Sequence, residues 1–458
     1  MRLNDKFRSY MEEAIGRENA LVAFSAFDES ASVSIRCNPF KGGCALQGRV
    51  VPWNRHGLIL EERPLFTLDP FFHAGAYYVQ DSSSMFVGHV FRSMAGTLKR
   101  PKGRPLRVLD LCAAPGGKTT DLAASLREMF GDDFLLVSNE VMKSRVSILT
   151  DNVALWGDPN VVVTSDDPRD FAALEGFFDV IVADVPCSGE GMFRKDEQAV
   201  QQWSEDNVAL CEARQRRIVA DVWPSLADGG LFIYSTCTFN RMENDGNVEW
   251  ISRELGADAL TPSDSCDMPG VLRTAVGYSL VPGFVEGEGQ YCSALVRTSS
   301  VMSACRKLRR ASRDERRQVA PLPKGLERLF DREVSLKMKG SLVIAVPENL
   351  HEDIGLLENC LHVLSSGCAA GTVKGKDFVP DADLALNLML DNNAFPVADV
   401  DRDTALSFLH RDAIVLKEAD KGIVLLRYEG EPLGFVKNLG NRCNNLHPQN
   451  RRIRMDIR

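Results

Sequence analysis

Arg107-Val108-Leu109-Asp110-Leu111-Cys112-Ala113-Ala114-Pro115-Gly116-Gly117-Lys118-Thr119 decides the fold. It reads as a buried strand, a glycine turn and the start of a helix running from Thr119 to Met129. Gly116-Gly117 lets backbone amides approach a ligand, and the helix N-terminus behind them favours negative charge there. A Walker P-loop requires glycine at the first of its eight positions, where Cys112 stands. The nucleotide triphosphatase reading is therefore a near miss.

The pattern continues downstream. Phe134 to Glu140 predicts a second strand, Lys143 to Trp156 a helix, and Asn160 to Thr164 a third strand. Apolar strands ending at Asp184 and Ser235 flank a helical stretch, roughly Trp203 to Leu226, closed by Asp228-Gly229-Gly230. Ser279-Leu280-Val281-Pro282 and Ser293-Ala294-Leu295-Val296-Arg297 could supply a closing hairpin. Such alternation predicts a parallel α/β sheet, whose active site lies beyond the carboxyl ends of its strands. Upstream, Leu3 to Phe27 has helical spacing and Ser32 to Arg36 alternates like a strand. The expected division is a small α+β lead-in over 1–72, a catalytic domain over 73–298, a basic linker over 299–325 and a second α+β unit over 326–458. In that last unit, strands at Leu342 to Val346 and Gly422 to Tyr428 frame a helix near Leu384 to Leu390.

Composition bounds the function. With 44% hydrophobic and 26% charged residues, a chain of 458 residues is an ordinary globular protein of two or three domains. The N-terminus shows no signal-peptide apolar region, and no run approaches the roughly 18 apolar residues of a membrane span. A cytoplasmic protein without membrane contact is expected. Twelve cysteines without a C-x-x-C pair, and seven scattered histidines, argue for reduced thiols and against a zinc site. The net charge of −9 argues weakly against nucleic acid. Local charge outweighs it: eight Lys/Arg lie between Arg306 and Lys324, and six between Lys437 and Arg458. Two basic segments on an acidic chain favour a polyanionic partner.

The strand ends carry the chemistry. Glu140 follows the second strand, where a carboxylate accepts from ribose hydroxyls, and Asp167 follows the third, placed for an adenine edge. Singly, such acids are usually turn formers. Glu140, Asp167 and Asp184 in register fit an adenosine-bearing cofactor. Cys187 and Cys237 both stand where an apolar strand runs out. Two thiols beside such a cofactor suggest covalent chemistry, since a thiolate is strongly nucleophilic and also leaves well. Cys37, Cys44, Cys211 and Cys360 fit the blander description of small buried hydrophobes.

Three segments resemble motifs I, IV and VI of the NOP2/Sun (RsmB/NOP) RNA cytosine-C5 methyltransferases: Asp110 to Thr119, Asp184-Val185-Pro186-Cys187-Ser188-Gly189-Glu190-Gly191, and Tyr234-Ser235-Thr236-Cys237-Thr238-Phe239-Asn240. The second motif usually reads Asp-Ala-Pro-Cys, and here Val185 replaces the small residue. Ala76 to Met85 resembles the family's segment before the sheet. The tail from Leu433 is similar to the PUA-like end of bacterial RsmF-type rRNA methyltransferases. The resemblance implies a Rossmann-like α/β S-adenosylmethionine-dependent methyltransferase sheet, flanked by a small N-terminal α+β domain and a C-terminal PUA-like α+β RNA-binding region. It implies S-adenosyl-L-methionine held by Cys112, Ala113, Ala114, Pro115, Gly116, Gly117, Lys118, Glu140, Arg145, Asp167 and Asp184. By the same resemblance Cys237 is the nucleophile toward cytosine C6, Cys187 assists product release, Asp184 holds the base, and Lys118 contacts cofactor and base. No metal is implied. The expected partner is RNA, 16S rRNA or a small-subunit intermediate, met by a monomer. Three alternatives stay open: the DNA-enzyme arrangement with Cys187 as nucleophile, a tRNA substrate, and a non-catalytic RNA-binding assembly factor.

Overall fold

The computed structural model describes residues 3–96, 98, 102–260, 268–298, 322–375 and 377–457. The expected basic linker over 299–325 lies outside the described residues apart from 322–325. At the centre is a parallel array of β1 (Leu106–Asp110), β2 (Phe134–Asn139), β3 (Val161–Thr164), β4 (Phe178–Asp184) and β5 (Leu226–Thr236). Four short or antiparallel strands follow, β6 (Ala257–Ala259), β7 (Leu272–Arg273), β8 (Tyr278–Leu280) and β9 (Gln290–Arg297), and a tenth, β10 (Val363–Ser366), comes from the C-terminal region. The order is β7-β8-β9-β5-β4-β1-β2-β3-β10, with β6 on β9. The chain winds one way from β1 to β2 and the other way to β4. That reversal opens a crevice at the carboxyl ends of β1 and β4.

Strand alternation sends neighbouring residues to opposite faces. Val108, Leu136 and Val180 enter one apolar cluster, with Phe91, Leu122 and Leu149 from helices Phe86–Ala95, Gly117–Phe130 and Lys143–Trp156. Leu109, Leu135 and Ile181 enter the other, with Ile218, Ile251 and Ile354 from helices Glu205–Val222, Asp245–Leu255 and His351–Cys360. Coverage on both faces is why β2 is buried throughout and why four of its six residues are apolar.

The structure adjusts these expectations. The helical spacing over Leu3 to Phe27 corresponds to two helices, Asp5–Ile15 and Arg17–Ala26. Gly16 separates them at φ 84°, a left-handed conformation open to glycine. The lead-in domain extends past 72, because Tyr77–Val79 pairs with Val33–Cys37 as an edge of its four-stranded sheet. The C-terminal region packs onto the central sheet. It holds two four-stranded sheets, one built on Leu342–Pro347 and the other on Gly422–Tyr428 and Glu431–Asn438. It also supplies β10, antiparallel to β3, and Asp353, paired with Arg107 of β1 at 2.6 Å. The helix expected near Leu384 to Leu390 is the shorter Ala382–Leu386, capped by Asp381. Among the described residues no helix is long and apolar enough to cross a membrane.

The basic tail is docked through Arg451. Arg451 donates to Asp383 at 2.7 Å and to Asp151 of helix Lys143–Trp156 at 3.2 Å, with its side chain 13% exposed. Arg451→Ala leaves two acids without their shared cation. This should cost about 2 kcal/mol, between the exposed and the buried limits for ion pairs. Amide hydrogen exchange across 395–453 should then accelerate by roughly 30-fold while β1 and β4 keep their protection. Unchanged exchange in 395–453 would show that Arg451 does not secure the domain.

Candidate active site

Each strand end delivers one part of the crevice. After β1 the chain turns through Cys112 to Gly116, and Gly116 at φ 114° starts helix Gly117–Phe130. Gly117 lies against the lead-in domain, where a Cβ would meet the Tyr78 ring at 3.3 Å. Beyond β2, Glu140 is buried and its Oε1 accepts from Met142 N at 2.8 Å. Arg145 lies 3.5 Å from Glu140 Oε2 and donates to Ala114 O at 2.6 Å, so it ties the glycine turn to the second strand end. Beyond β3, Asp167 caps a short turn by accepting from Arg169 N at 3.2 Å.

These parts enclose a cleft of about 310 Å³. Of the residues singled out in the sequence, Cys112, Ala114, Glu140, Arg145, Asp167, Asp184, Cys187 and Cys237 line it. Ala113, Pro115, Gly116 and Gly117 form the turn behind that wall. Lys118 reaches the site through Asp184, donating from Nζ to Oδ2 at 2.8 Å. Asn139, Val141 and Met142 also line the cleft and were missed. Val141 and Met142 are half exposed, and an apolar pair directly after the acid ending a strand was the available signal.

Asp184 is the most heavily engaged group. Its Oδ1 accepts from Ser235 Oγ at 2.7 Å and from Gln290 Nε2 at 3.3 Å. Gln290, on β9, also donates to Thr236 O at 3.0 Å. No motif marks Gln290, because its part depends on β9 folding back beside β5. Burial pushes the Asp184 carboxyl up, but the Lys118 ammonium and the three hydrogen bonds outweigh it and hold the group below the usual carboxylate range. Burial likewise lowers Lys118, and Asp184 more than restores it. Asp110, buried behind this pair, is pushed up to about 7 by burial and the nearby carboxylates. It accepts from Thr119 Oγ1 at 2.7 Å through Oδ2, while Oδ1 has no hydrogen-bond partner among the described residues.

The register Asp184↔Ser235 between β4 and β5 brings the two cysteines together. Cys187 Sγ lies 3.1 Å from Cys237 Sγ. The hydrogen bond with Cys237, and burial, push the Cys187 thiol well up, so Cys187 keeps its proton. One sulfur is therefore a proton donor facing the other, and both stand at the end of the cleft beside an ionised carboxylate and an ammonium.

Lys118→Met tests this electrostatic frame. In the wild type the depressed Asp184 contributes stability that is present above the ordinary aspartate pKa and lost as pH falls through its lower folded value. Without the ammonium, burial dominates and the carboxyl moves above its ordinary range. Urea denaturation should show a deficit of about 3–5 kcal/mol near pH 7 that shrinks below about pH 4. A deficit equal at both pH values would sink the assignment.

Comparison with known proteins agrees with this geometry. Residues 98–296 match the family described as 16S rRNA methyltransferase RsmB/F. Residues 3–82 match the N-terminal domain of 16S rRNA methyltransferase RsmF, and 395–453 the methyltransferase RsmF PUA domain. Ribosomal RNA small subunit methyltransferase F of Shewanella baltica (strain OS223) is 31% identical over 397 residues, 82% of this chain and 78% of that protein. The protein of that name from Enterobacter sp. (strain 638) is 28% identical, covering 97% of this chain and 95% of its own length. Two crystal structures from Pyrococcus horikoshii share the fold. NSun6 with SFG has a TM-score of 0.52 at 18% identity, covering 65% of this chain and 98% of its own. A methyltransferase homologue protein has a TM-score of 0.51 at 22% identity, covering 64% of this chain and 100% of its own. On the strength of matches that run from the lead-in sheet to the docked tail, this chain belongs to the RsmB/F family of 16S rRNA methyltransferases, with the N-terminal and PUA domains of RsmF.

Proposed function

We propose that this chain transfers a methyl group from S-adenosylmethionine to cytosine C5 in 16S rRNA, as a monomeric cytoplasmic enzyme, through a covalent adduct with Cys237. The observation that carries the reading is the pair of thiols 3.1 Å apart beside the Lys118–Asp184 ion pair. The cleft suits the cofactor. Its carboxylates fit a positively charged ligand bearing ribose hydroxyls, and Asp110 Oδ1 is a buried acceptor left without a donor. Glu140 and Asp167 would hold the nucleoside, with Arg145 and the 112–117 turn at its side. Bound there, S-adenosylmethionine supplies an electrophilic methyl group.

The residues of the chain prepare the base. Cytosine C5 is a poor nucleophile, and addition of the Cys237 thiolate to C6 makes it enamine-like. Asp184, ionised and fixed by Lys118, Ser235 and Gln290, accepts from the exocyclic amine as the base docks. After methylation a base removes the C5 proton, and the electron pair of that bond expels the Cys237 thiolate. Cys187, holding its proton against Cys237 Sγ, supports the thiolate as it leaves. The likeness of Tyr234 to Asn240 to motif VI favours this assignment over the DNA-enzyme arrangement, in which Cys187 would attack.

The RNA must present its target unpaired or extruded, at a cost of a few kcal/mol that the flanking domains offset by backbone contacts. Cys187→Ala and Cys237→Ala proteins purified from cells test the whole reading. Cys187→Ala should carry RNA that survives a denaturing gel, and Cys237→Ala should not. Sequencing the trapped RNA should return 16S rRNA, whereas tRNA would correct the substrate. Adducts on Cys237→Ala alone would reverse the roles, and adducts on neither would end the covalent mechanism.

A further inference from the structure

Behind the two thiols lie two carboxylates that the mechanism does not use. Glu190, on the loop of Cys187, accepts at Oε2 from Phe239 N at 2.8 Å and Asn240 N at 3.0 Å, both on the loop of Cys237. Glu243, on the loop of Cys237, accepts at Oε2 from Ser188 N at 3.0 Å, next to Cys187. Each loop thus supplies the acceptor for the other's backbone amides. Asn240 bridges the two acids, its Nδ2 donating to Glu190 Oε1 at 3.0 Å and Glu243 Oε1 at 2.8 Å. Ser188 Oγ and Thr238 Oγ1 meet at 2.8 Å, and Gly191 N donates to Cys237 O at 2.9 Å.

This arrangement is costly. Glu190 is 1% exposed and Glu243 0%. Among the described residues neither pairs with Lys or Arg, and their donors are neutral: backbone amides, Asn240, Trp203 Nε1 on Glu190 and Gln215 Nε2 on Glu243. Burial and the neighbouring Glu190 push the Glu243 carboxyl up to about 7. Apolar packing would hold two loops together at less desolvation cost. Carboxylates held by named N–H groups, four on Glu190 and three on Glu243, instead fix position.

We infer that Glu190, Asn240 and Glu243 form a reciprocal brace that positions Cys187 against Cys237, and so sets how fast the thiolate is expelled. The inference rests on the proposed roles of the two cysteines. The geometry it concerns is readable without RNA.

Diamide takes two electrons and two protons from a pair of thiols, leaving a disulfide and the reduced hydrazine, so its rate reports how closely the sulfurs approach. In the full chain, Glu243→Gln sets an NH2 against donors on either side, and Asn240→Ala removes the bridge while keeping both acids. Both should slow formation of the Cys187–Cys237 disulfide at least tenfold, read by mass spectrometry of unreduced digests. The Cys37–Cys44 pair, whose thiols also face one another, is the internal reference and should oxidise at the wild-type rate. Affinity for S-adenosylmethionine should stay within threefold. With RNA, kcat should fall at least tenfold, KM should fall with it and covalent adduct should accumulate, while Glu243→Asp, which keeps two acceptor oxygens, should recover part of the rate. Should Glu243→Gln fail to fold, Asn240→Ala decides alone. Wild-type crosslinking rates in the variants overturn the brace whatever the adduct experiment gives. Slowed crosslinking with no adduct in Cys187→Ala upholds the brace and removes the covalent reading instead.

Discussion

The ion pair between Lys118 and Asp184 sets the terms for everything around it. It joins the helix after β1 to the end of β4 across the point where the sheet reverses direction. Both side chains are largely buried, and neither would hold its charge there alone. Its geometry is therefore over-determined: Ser235 comes from β5, Gln290 from β9, and three strands and a helix converge on one carboxylate. The two thiols follow from the same register, since Cys187 is three residues past Asp184 and Cys237 is two past Ser235. A one-residue slip of β5 against β4 would turn its side chains to the opposite face and separate the thiols.

Much of this was legible in the chain because it is local. The apolar runs of β1, β2 and β4 and the acids that end them are contiguous in sequence, and the glycine turn announces itself by residue type. The helix at Lys143–Trp156 was read to the residue. What stayed hidden arises where distant segments meet. Gln290 carries no motif, β10 is an unremarkable Val-Leu-Ser-Ser, and nothing near Glu243 says that its carboxylate will find Ser188. Arg451 reads as one more charge in a basic tail, yet its guanidinium is spent on Asp151 and Asp383. Counting charges therefore overstated what the tail offers a polyanion.

Arg36 shows how deeply the lead-in domain enters the catalytic one. It is fully buried on a strand of the first sheet, with its guanidinium 4.6 Å from the Trp156 ring. It donates to Gln80 Oε1 at 2.9 Å and to Gly117 O at 3.3 Å. The carbonyl it holds belongs to the residue before Lys118. A domain that looks appended in sequence is thus part of the wall that keeps the glycine turn in place. The position of that domain and the shape of the glycine turn are mechanically linked through one side chain.

The strand β10 gives the sheet a history as well as a shape. Val363 to Ser366 pairs with residues of β3 that precede it by about two hundred positions. On a ribosome adding 5–20 residues each second, the β3 edge waits roughly 10–40 s for its partner. Throughout that interval a hydrophobic parallel edge stands open to other nascent chains. The strand that closes this edge is therefore made late and lies remote from the chemistry.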